Sequence, residues 1–175
     1  GTTSASITTS LLYTADRWWG LSGTGTAFTV AQVTTSQPEG SAGSARVQRT
    51  AAQTGILPVC FGQVLTTGNS ASMQSRLVEF SFYAKSGATF SAANSTITAT
   101  IATGTAADGS AANFSTGSWT GYAAQATSVI INTAWEKYSV TATIPAAALQ
   151  VGVKLCYTPV GTAGATDFFE VAEAQ

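Results

Sequence analysis

The chain's 175 residues suit one domain with a sizeable core, and their low charge, 9% ionisable side chains with a formal net charge of −1 and no histidine, narrows its functions. A typical soluble domain carries about 25% charged residues; here Ser, Thr, Ala and Gly cover the surface instead. The balance excludes the basic footprint of nucleic-acid binding, and no stretch approaches the roughly 20 apolar residues of a membrane span, so no membrane insertion is expected.

Residues 1–10 are polar, lack a charged n-region and an apolar h-region, and read as a flexible lead-in to a domain over 11–175. On this reading the chain is an excised piece of a longer protein. Residues 11–19, LLYTADRWW, open the domain with strand-compatible aromatics. Trp18 and Trp19 are adjacent, so in a strand only one can face the core, and the other needs a cover; core or subunit contact is the favoured use of both. A glycine-rich turn over 20–25 leads to an alternating strand over 26–34, and a loop over 36–44 holds Pro38, Gly40 and Gly43. A strand over 45–52 carries Arg46 and Arg49. The next, over 56–65, puts Leu57, Val59, Phe61 and Leu65 inward and Cys60 outward.

Residues 66–76 are polar, with room for one helical turn. Residues 77–85 then alternate without a break: Val78, Phe80, Phe82 and Ala84 face a core, while Leu77, Glu79, Ser81, Tyr83 and Lys85 face outward. This central strand organises the rest. A strand over 96–102 buries Ile97, Ala99 and Ile101. The segment 103–127 reads as a long irregular loop with Phe114, Trp119 and Tyr122, and a loop of that length in a compact domain usually has a function. A short apolar run covers 128–132. Strands over 135–144, 149–158 and 166–174 finish the chain, with Tyr138, Val140, Ala142 and Ile144, then Leu149, Val151, Val153, Leu155 and Tyr157 inside. Cys156 falls on the face opposite Leu155. Both thiols therefore lie on non-core faces; they can bridge if their strands are neighbours, and two small reduced side chains is the favoured reading. About nine strands at short intervals, with no amphipathic helical run and no internal repeat, specify an antiparallel all-β sandwich or barrel.

Several strings line up in order: Tyr13-Thr14-Ala15-Asp16-Arg17-Trp18, residues 78–85, Thr133-Ala134-Trp135-Glu136-Lys137-Tyr138-Ser139-Val140-Thr141 with Thr143-Ile144-Pro145, and Asp167-Phe168-Phe169-Glu170-Val171-Ala172-Glu173-Ala174-Gln175. Together they resemble the carbohydrate-binding-module-like jelly-roll domains of bacteriophage tail fibres, tail spikes and other virion surface proteins. The resemblance spans residues 13–175. It implies a single antiparallel jelly-roll β-sandwich, binding of a bacterial cell-surface glycan at the virion surface, and a homotrimeric parent. Related modules often carry a structural calcium near the chain ends; Asp16, Asp167 and Glu170 are the carboxylates that could serve. No acidic cluster assigns the ion, so no cofactor is expected from the residues themselves.

Sugar recognition needs flat aromatic faces for the apolar side of a pyranose ring and fixed polar groups for its hydroxyls. Trp119 and Tyr122, in a small-residue loop, are the aromatic candidates; the alternative is that Trp119 plugs the end of the sandwich. Glu79, Tyr83, Lys154 and Glu170 are the polar candidates on outward faces, with salt bridges on a solvated sheet as the alternative. Trp135, beside a charged pair, is read as structural. Arg46, Arg49 and Arg76 could meet an acidic polysaccharide but form no run. The sequons at Asn94 and Asn113 are read as chance in a Ser/Thr-rich chain. Without histidine no Ser-His or Cys-His system exists, and only a carboxylate pair among Glu79, Glu170 and Glu173 could hydrolyse a glycoside. The expectation is therefore a noncatalytic glycan-binding adhesion domain, with a structural or trimer-assembly domain as the alternative.

Overall fold

In the computed structural model, residues 5–8, 11–15, 17–23 and 25–175 are described. Their strands run β1 (Ala5–Ile7), β2 (Leu12–Ala15), β3 (Trp18–Ser22), β4 (Phe28–Val33), β5 (Ser44–Arg49) and β6 (Val59–Val64). They continue, after α1 (Thr67–Ala71), with β7 (Leu77–Ser86), β8 (Thr96–Gly104), helix α2 (Ala111–Thr116), β9 (Ala123–Ile130), β10 (Glu136–Thr143), β11 (Gln150–Tyr157) and β12 (Phe168–Ala172). Two six-stranded sheets result, in the orders β1-β4-β5-β12-β7-β10 and β2-β3-β6-β11-β8-β9, with every pairing antiparallel. From β6 onward the chain crosses between sheets at nearly every connection, which is the sandwich of the strand pattern in the jelly-roll form that the resemblance implies. No described helix is long and apolar enough to cross a membrane.

The core is built by period-two alternation on both inner faces. Phe28, Val30, Val47, Phe80, Phe82, Phe169 and Val171 of the first sheet meet Val59, Phe61, Ile97, Ala99, Ile101, Val151, Leu155 and Tyr157 of the second. Phe82 and Phe28 are fully buried. Each such side chain contributes about 1.5–3 kcal/mol by leaving water. In β7, Phe80, Phe82 and Ala84 point inward and Glu79, Tyr83 and Lys85 outward, as the alternation requires. β12 ends at a left-handed Glu173 (φ 50°), after which Gln175 resumes pairing with Ser81 of β7.

Several expectations change. The segment expected to be a lead-in contains β1, which pairs with β4 and buries Ile7; residues 1–4, 9 and 10 of it lie outside the described residues. Asp16 does too. Leu57 is exposed rather than inward, because Pro58 has no N–H to donate and β6 starts only at Val59. Leu149 precedes β11 and is partly exposed. The long loop over 103–127 resolves into the end of β8, α2 and the start of β9.

Cys60 and Cys156 stand directly opposite each other in the β6–β11 ladder, with Cα atoms 4.2 Å apart, and form a disulfide. This replaces the reduced reading: the strands are neighbours, and both side chains leave the sheet on the same outer face. Arg49, a candidate for polysaccharide contact by sequence, is instead fully buried. Its Nη1 donates to Asp167 Oδ2 (2.9 Å) and Ser91 Oγ (2.8 Å), and Nη2 to the carbonyls of Gln53 (2.8 Å) and Gly55 (2.7 Å). Asp167 Oδ1 accepts from the Ser91 N–H at 3.0 Å. One guanidinium thus holds the connections after β5, β7 and β11 against the sandwich end.

The Cys60→Ser/Cys156→Ser variant opens a crosslink between residues 96 apart and is expected to lose about 4–5 kcal/mol on the chain-entropy account. Arg49→Met leaves Asp167 buried and unpaired, and should lose about 3–5 kcal/mol. Denaturant melts of the three proteins check both values.

Candidate functional site

The six candidates divide between the outer faces of opposite sheets. Trp119, Tyr122 and Lys154 belong to the second sheet and its covering helix. Glu79, Tyr83 and Glu170 belong to the first.

On the second sheet, outward positions Gly62, Ala102 and Gly152 form a floor of small residues. A Cβ at Gly152 would stand 3.0 Å from Trp119 Cη2 and 3.1 Å from Phe114, and one at Gly62 would stand 2.6 Å from Trp19 Cζ2. Ser110 caps α2 by accepting from the Asn113 N–H at 3.1 Å, and Gly117 closes it in the left-handed region (φ 71°). The helix sets Phe114 onto that floor. Phe114 stacks on Trp119 at 4.8 Å and meets Trp19 edge-on at 5.8 Å, while Trp119 Nε1 donates to the Ser110 carbonyl at 3.0 Å. Trp119 is 5% exposed. The structure buries it in a second apolar cluster, as the plug alternative has it, but on the outer face of the second sheet rather than at the sandwich end, and not at the surface where a sugar could stack.

Lys154 is engaged as well. Its Nζ donates to the carbonyls of Ser115 (3.1 Å) and Phe114 (3.4 Å) at the helix C-terminus and lies 4.9 Å from the Phe114 ring centroid. Burial holds this ammonium below the ordinary lysine pKa. Tyr122 is half-buried against Gly117, and burial raises its phenol.

The first sheet's outer face is different. Register sets Arg46 of β5, Glu170 of β12 and Lys85 of β7 side by side on one rung. Arg46 Nε donates to Glu170 Oε1 at 2.6 Å, with Nη2 2.5 Å from the same oxygen. Lys85 Nζ lies 3.2 Å from Oε2, an ion pair without hydrogen-bond alignment, and donates to Ser36 Oγ at 2.6 Å. Glu170 is fully buried beneath these groups. It was a candidate for bonding sugar hydroxyls; the structure instead spends both carboxylate oxygens on holding two cations. The cations sit on aromatic rings: Arg46 is 4.2 Å from the Phe168 centroid and Lys85 Nζ 5.1 Å from that of Trp135. Half-buried Tyr83 stands opposite exposed Lys137 of β10. Glu79, also exposed, is six residues from Lys85 along β7, ~20 Å away. The rest of the β7–β10 outer face carries small hydroxyl residues, Ser81, Ser139, Thr141 and Thr143, and at its far end the exposed Leu77.

By sequence Arg46 is one of three scattered cations, Lys85 shares the outward face of residues 77–85 with Glu79 and Tyr83, and Trp135 reads as structural. No signal along the chain joins them, since β5, β7 and β12 meet only through pairings distant in sequence. The adjacent-tryptophan argument does hold. Trp19 is covered by α2, and Trp18 stacks on Phe61 at 4.6 Å. Trp18 also lines a cleft of about 540 Å³ between the sheet edges, with Thr14, Gln32, Ser44 and Glu173 as its polar groups.

Of the three carboxylates considered for calcium, Asp16 lies outside the described residues and the other two are engaged by cations. Asp167 is committed to Arg49, and Glu170 to Arg46 and Lys85. No cluster of three metal-ligating side chains occurs among the described residues.

No protein-family model matches the chain, and no curated protein sequence does. Solved structures share its fold. The enzymatically active domain of bacteriophage CBA120 tailspike protein 4 superposes with a TM-score of 0.59 at 12% identity, covering 91% of this chain and 19% of that one. The N-terminal CBM22-1–CBM22-2 tandem domain from Paenibacillus barcinonensis gives 0.53 at 14% identity, covering 92% and 44%. The CBM22-1 and GH10 modules of a Clostridium thermocellum endo-1,4-beta-D-xylanase, complexed with xylohexaose, give 0.51 at 14%, covering 90% and 25%. This chain therefore spans less than half the length of each, and the likeness defines an all-β sandwich of the carbohydrate-binding-module type of fold.

Trp119→Ala should act on stability: removing a stacked, buried indole over Gly152 costs about 3–5 kcal/mol. A denaturant melt measures it, and an unchanged midpoint would contradict the plug assignment.

Proposed function

We propose that this domain binds carbohydrate without catalysing a reaction, on the outer face of its first sheet. The observation that carries the reading is the cluster around β7. There, Arg46 and Lys85 are fixed by one buried carboxylate, Trp135 and Tyr83 supply rings, and Ser139 comes next along the face after Lys137. Held cations and planar rings on an open sheet match what a pyranose offers, hydroxyls at its rim and C–H groups on its face. Trp119 and Lys154 leave the binding set; Glu79 and Tyr83 stay, and Glu170 acts through the cations it positions.

A noncatalytic role is supported by the spacing of the acids. Glu79 and Glu170 sit ~20 Å apart along adjacent strands, where glycoside hydrolysis wants about 5–9.5 Å, and Glu170 is buried between two cations. The finer reading is adhesion, with a bacterial cell-surface glycan as ligand and an extracellular virion surface protein, homotrimeric through its other parts, as the parent. Its support is the order of the tail-fibre-like strings and the tailspike among the fold's relatives. A second reading, assembly, is favoured by one feature. β9 is an edge strand of eight residues, with no charge and no proline, and nearly all of it is exposed. Such an edge can pair with another chain.

A bacterial-glycan array probed with the purified domain tests the reading. Binding should fall tenfold or more in Trp135→Ala and in Tyr83→Ala and persist in Trp18→Ala. Loss in Trp18→Ala alone would move the site to the cleft between the sheet edges. A folded domain that binds no glycan would overturn the reading in favour of assembly.

A further inference from the structure

Resting on that carbohydrate reading, we infer that the ligand is an acidic glycan, one whose sugar carboxylates are met by Arg46, Lys85 and Lys137. The argument is a local charge balance. The whole chain has seven cations against eight acids, yet three of the cations stand on this one face around a single carboxylate, Glu170. Glu170 is fully buried. It offsets one positive charge and leaves two in excess.

The other acids reduce that excess but form no ion pair with these cations among the described residues; Glu173, exposed just past β12, lines the cleft beside Trp18. Arg49 and Asp167 neutralise each other inside the sandwich. Lys154 lies on the opposite sheet. Glu136 of β10 accepts from Asn132 Nδ2 (2.7 Å) and the Tyr138 hydroxyl (2.9 Å), neutral partners that keep it anionic beside Lys137, so it offsets part of the excess without forming an ion pair among the described residues. Glu79 is on the face but ~20 Å from Lys85. Glu39 is exposed in the β4–β5 connection and makes no ion pair among the described residues.

Two of these cations also retain donors for a ligand, while Lys85, 14% exposed and engaged by Glu170 and Ser36, contributes mainly its charge. Arg46 spends Nε and Nη2 on one oxygen of Glu170, and Nη1 meets no protein acceptor among the described residues, with the side chain 31% exposed. Lys137 is exposed and has no carboxylate partner among the described residues. Phe168 beneath Arg46 and Trp135 beneath Lys85 keep both heads from folding away. A guanidinium edge and two ammonium groups held on one rung and its neighbour suit a uronate carboxylate, which accepts on both oxygens.

The test is an array on which each acidic polysaccharide is printed beside its carboxyl-reduced, neutral form, together with neutral glycans and phosphodiester-linked teichoic-type polymers. Uronate-bearing glycans should bind. Their reduced forms should bind about tenfold more weakly or worse, as the loss of a charge-assisted hydrogen bond predicts, and raising NaCl from about 0.05 to 0.3 M should weaken the uronates alone. Lys137→Gln and Lys85→Gln should each lower uronate binding several-fold, and Arg46→Lys, which keeps the charge that pairs Glu170, should lower it by losing the fork. Equal binding of acidic and reduced forms, preference for neutral glycans, binding confined to phosphodiester polymers, or uronate binding untouched by all three variants would overturn the inference while the carbohydrate reading stands. No binding to any glycan by the folded protein would overturn that reading, and the inference with it.

Discussion

The ladder between β5 and β12 sets the terms for both ends of this molecule. Arg46 pairs with Glu170 and Gln48 with Phe168, and Arg49 donates its N–H to the Asp167 carbonyl one step further on. Two cation–carboxylate pairs therefore sit on one ladder, three residues apart. An odd offset in a strand reverses the face. Arg49 and Asp167 are turned into the sandwich, where water cannot reach them, while Arg46 and Glu170 are turned outward. The same chemistry becomes a structural clamp at one position and, on the proposed reading, a binding surface at the other.

Burial decides what each pair does. Arg49 is enclosed, so its donors must be met locally, and carbonyls from two connections and the Ser91 hydroxyl from a third converge on it. Its Nε remains without a partner, a residual cost of enclosing a guanidinium. The field of this pair reaches Tyr157, whose buried phenol is raised first by desolvation and then by Asp167, with Arg49 opposing. Glu170 is equally buried, but its partners are only partly so. A carboxylate held in that state favours cations nearby and keeps them at the surface, because withdrawing either would leave a buried charge uncompensated. The face stays positive as a consequence of how the acid beneath it is paired.

The parts of this arrangement legible along the chain are those that depend on local alternation. Residues 77–85, 135–144 and 96–102 alternate cleanly, and their inward residues are the core that forms. What alternation cannot supply is which strand lies beside which. The disulfide, the rung of Arg46, Glu170 and Lys85, and the Arg49 clamp all depend on pairings more than 80 residues apart, and all three were missed or misread. Trp119 illustrates a subtler loss. A tryptophan among glycines and serines looks like an exposed loop aromatic. The signal that it is covered lies elsewhere, in Gly62, Ala102 and Gly152, small residues at outward strand positions where a flat sheet would be expected to carry hydroxyls or charges. Read together, such positions announce that something large lies on top.

That covering also explains why the two outer faces take different tasks. Over the second sheet, α2 brings Phe114 and Trp119 down onto glycines and Lys154 folds back to the helix C-terminus, so the aromatic and cationic groups satisfy one another. Over the first sheet no helix intervenes beside β7 and β10. Trp135 and Lys85 meet there too, but Lys137 and the Nη1 edge of Arg46 are left facing outward. The same residue types thus close one face and leave the other open. The difference traces to floor residues: glycine and alanine invite a helix to pack, whereas the serines and threonines of β7 and β10 keep their face hydrated.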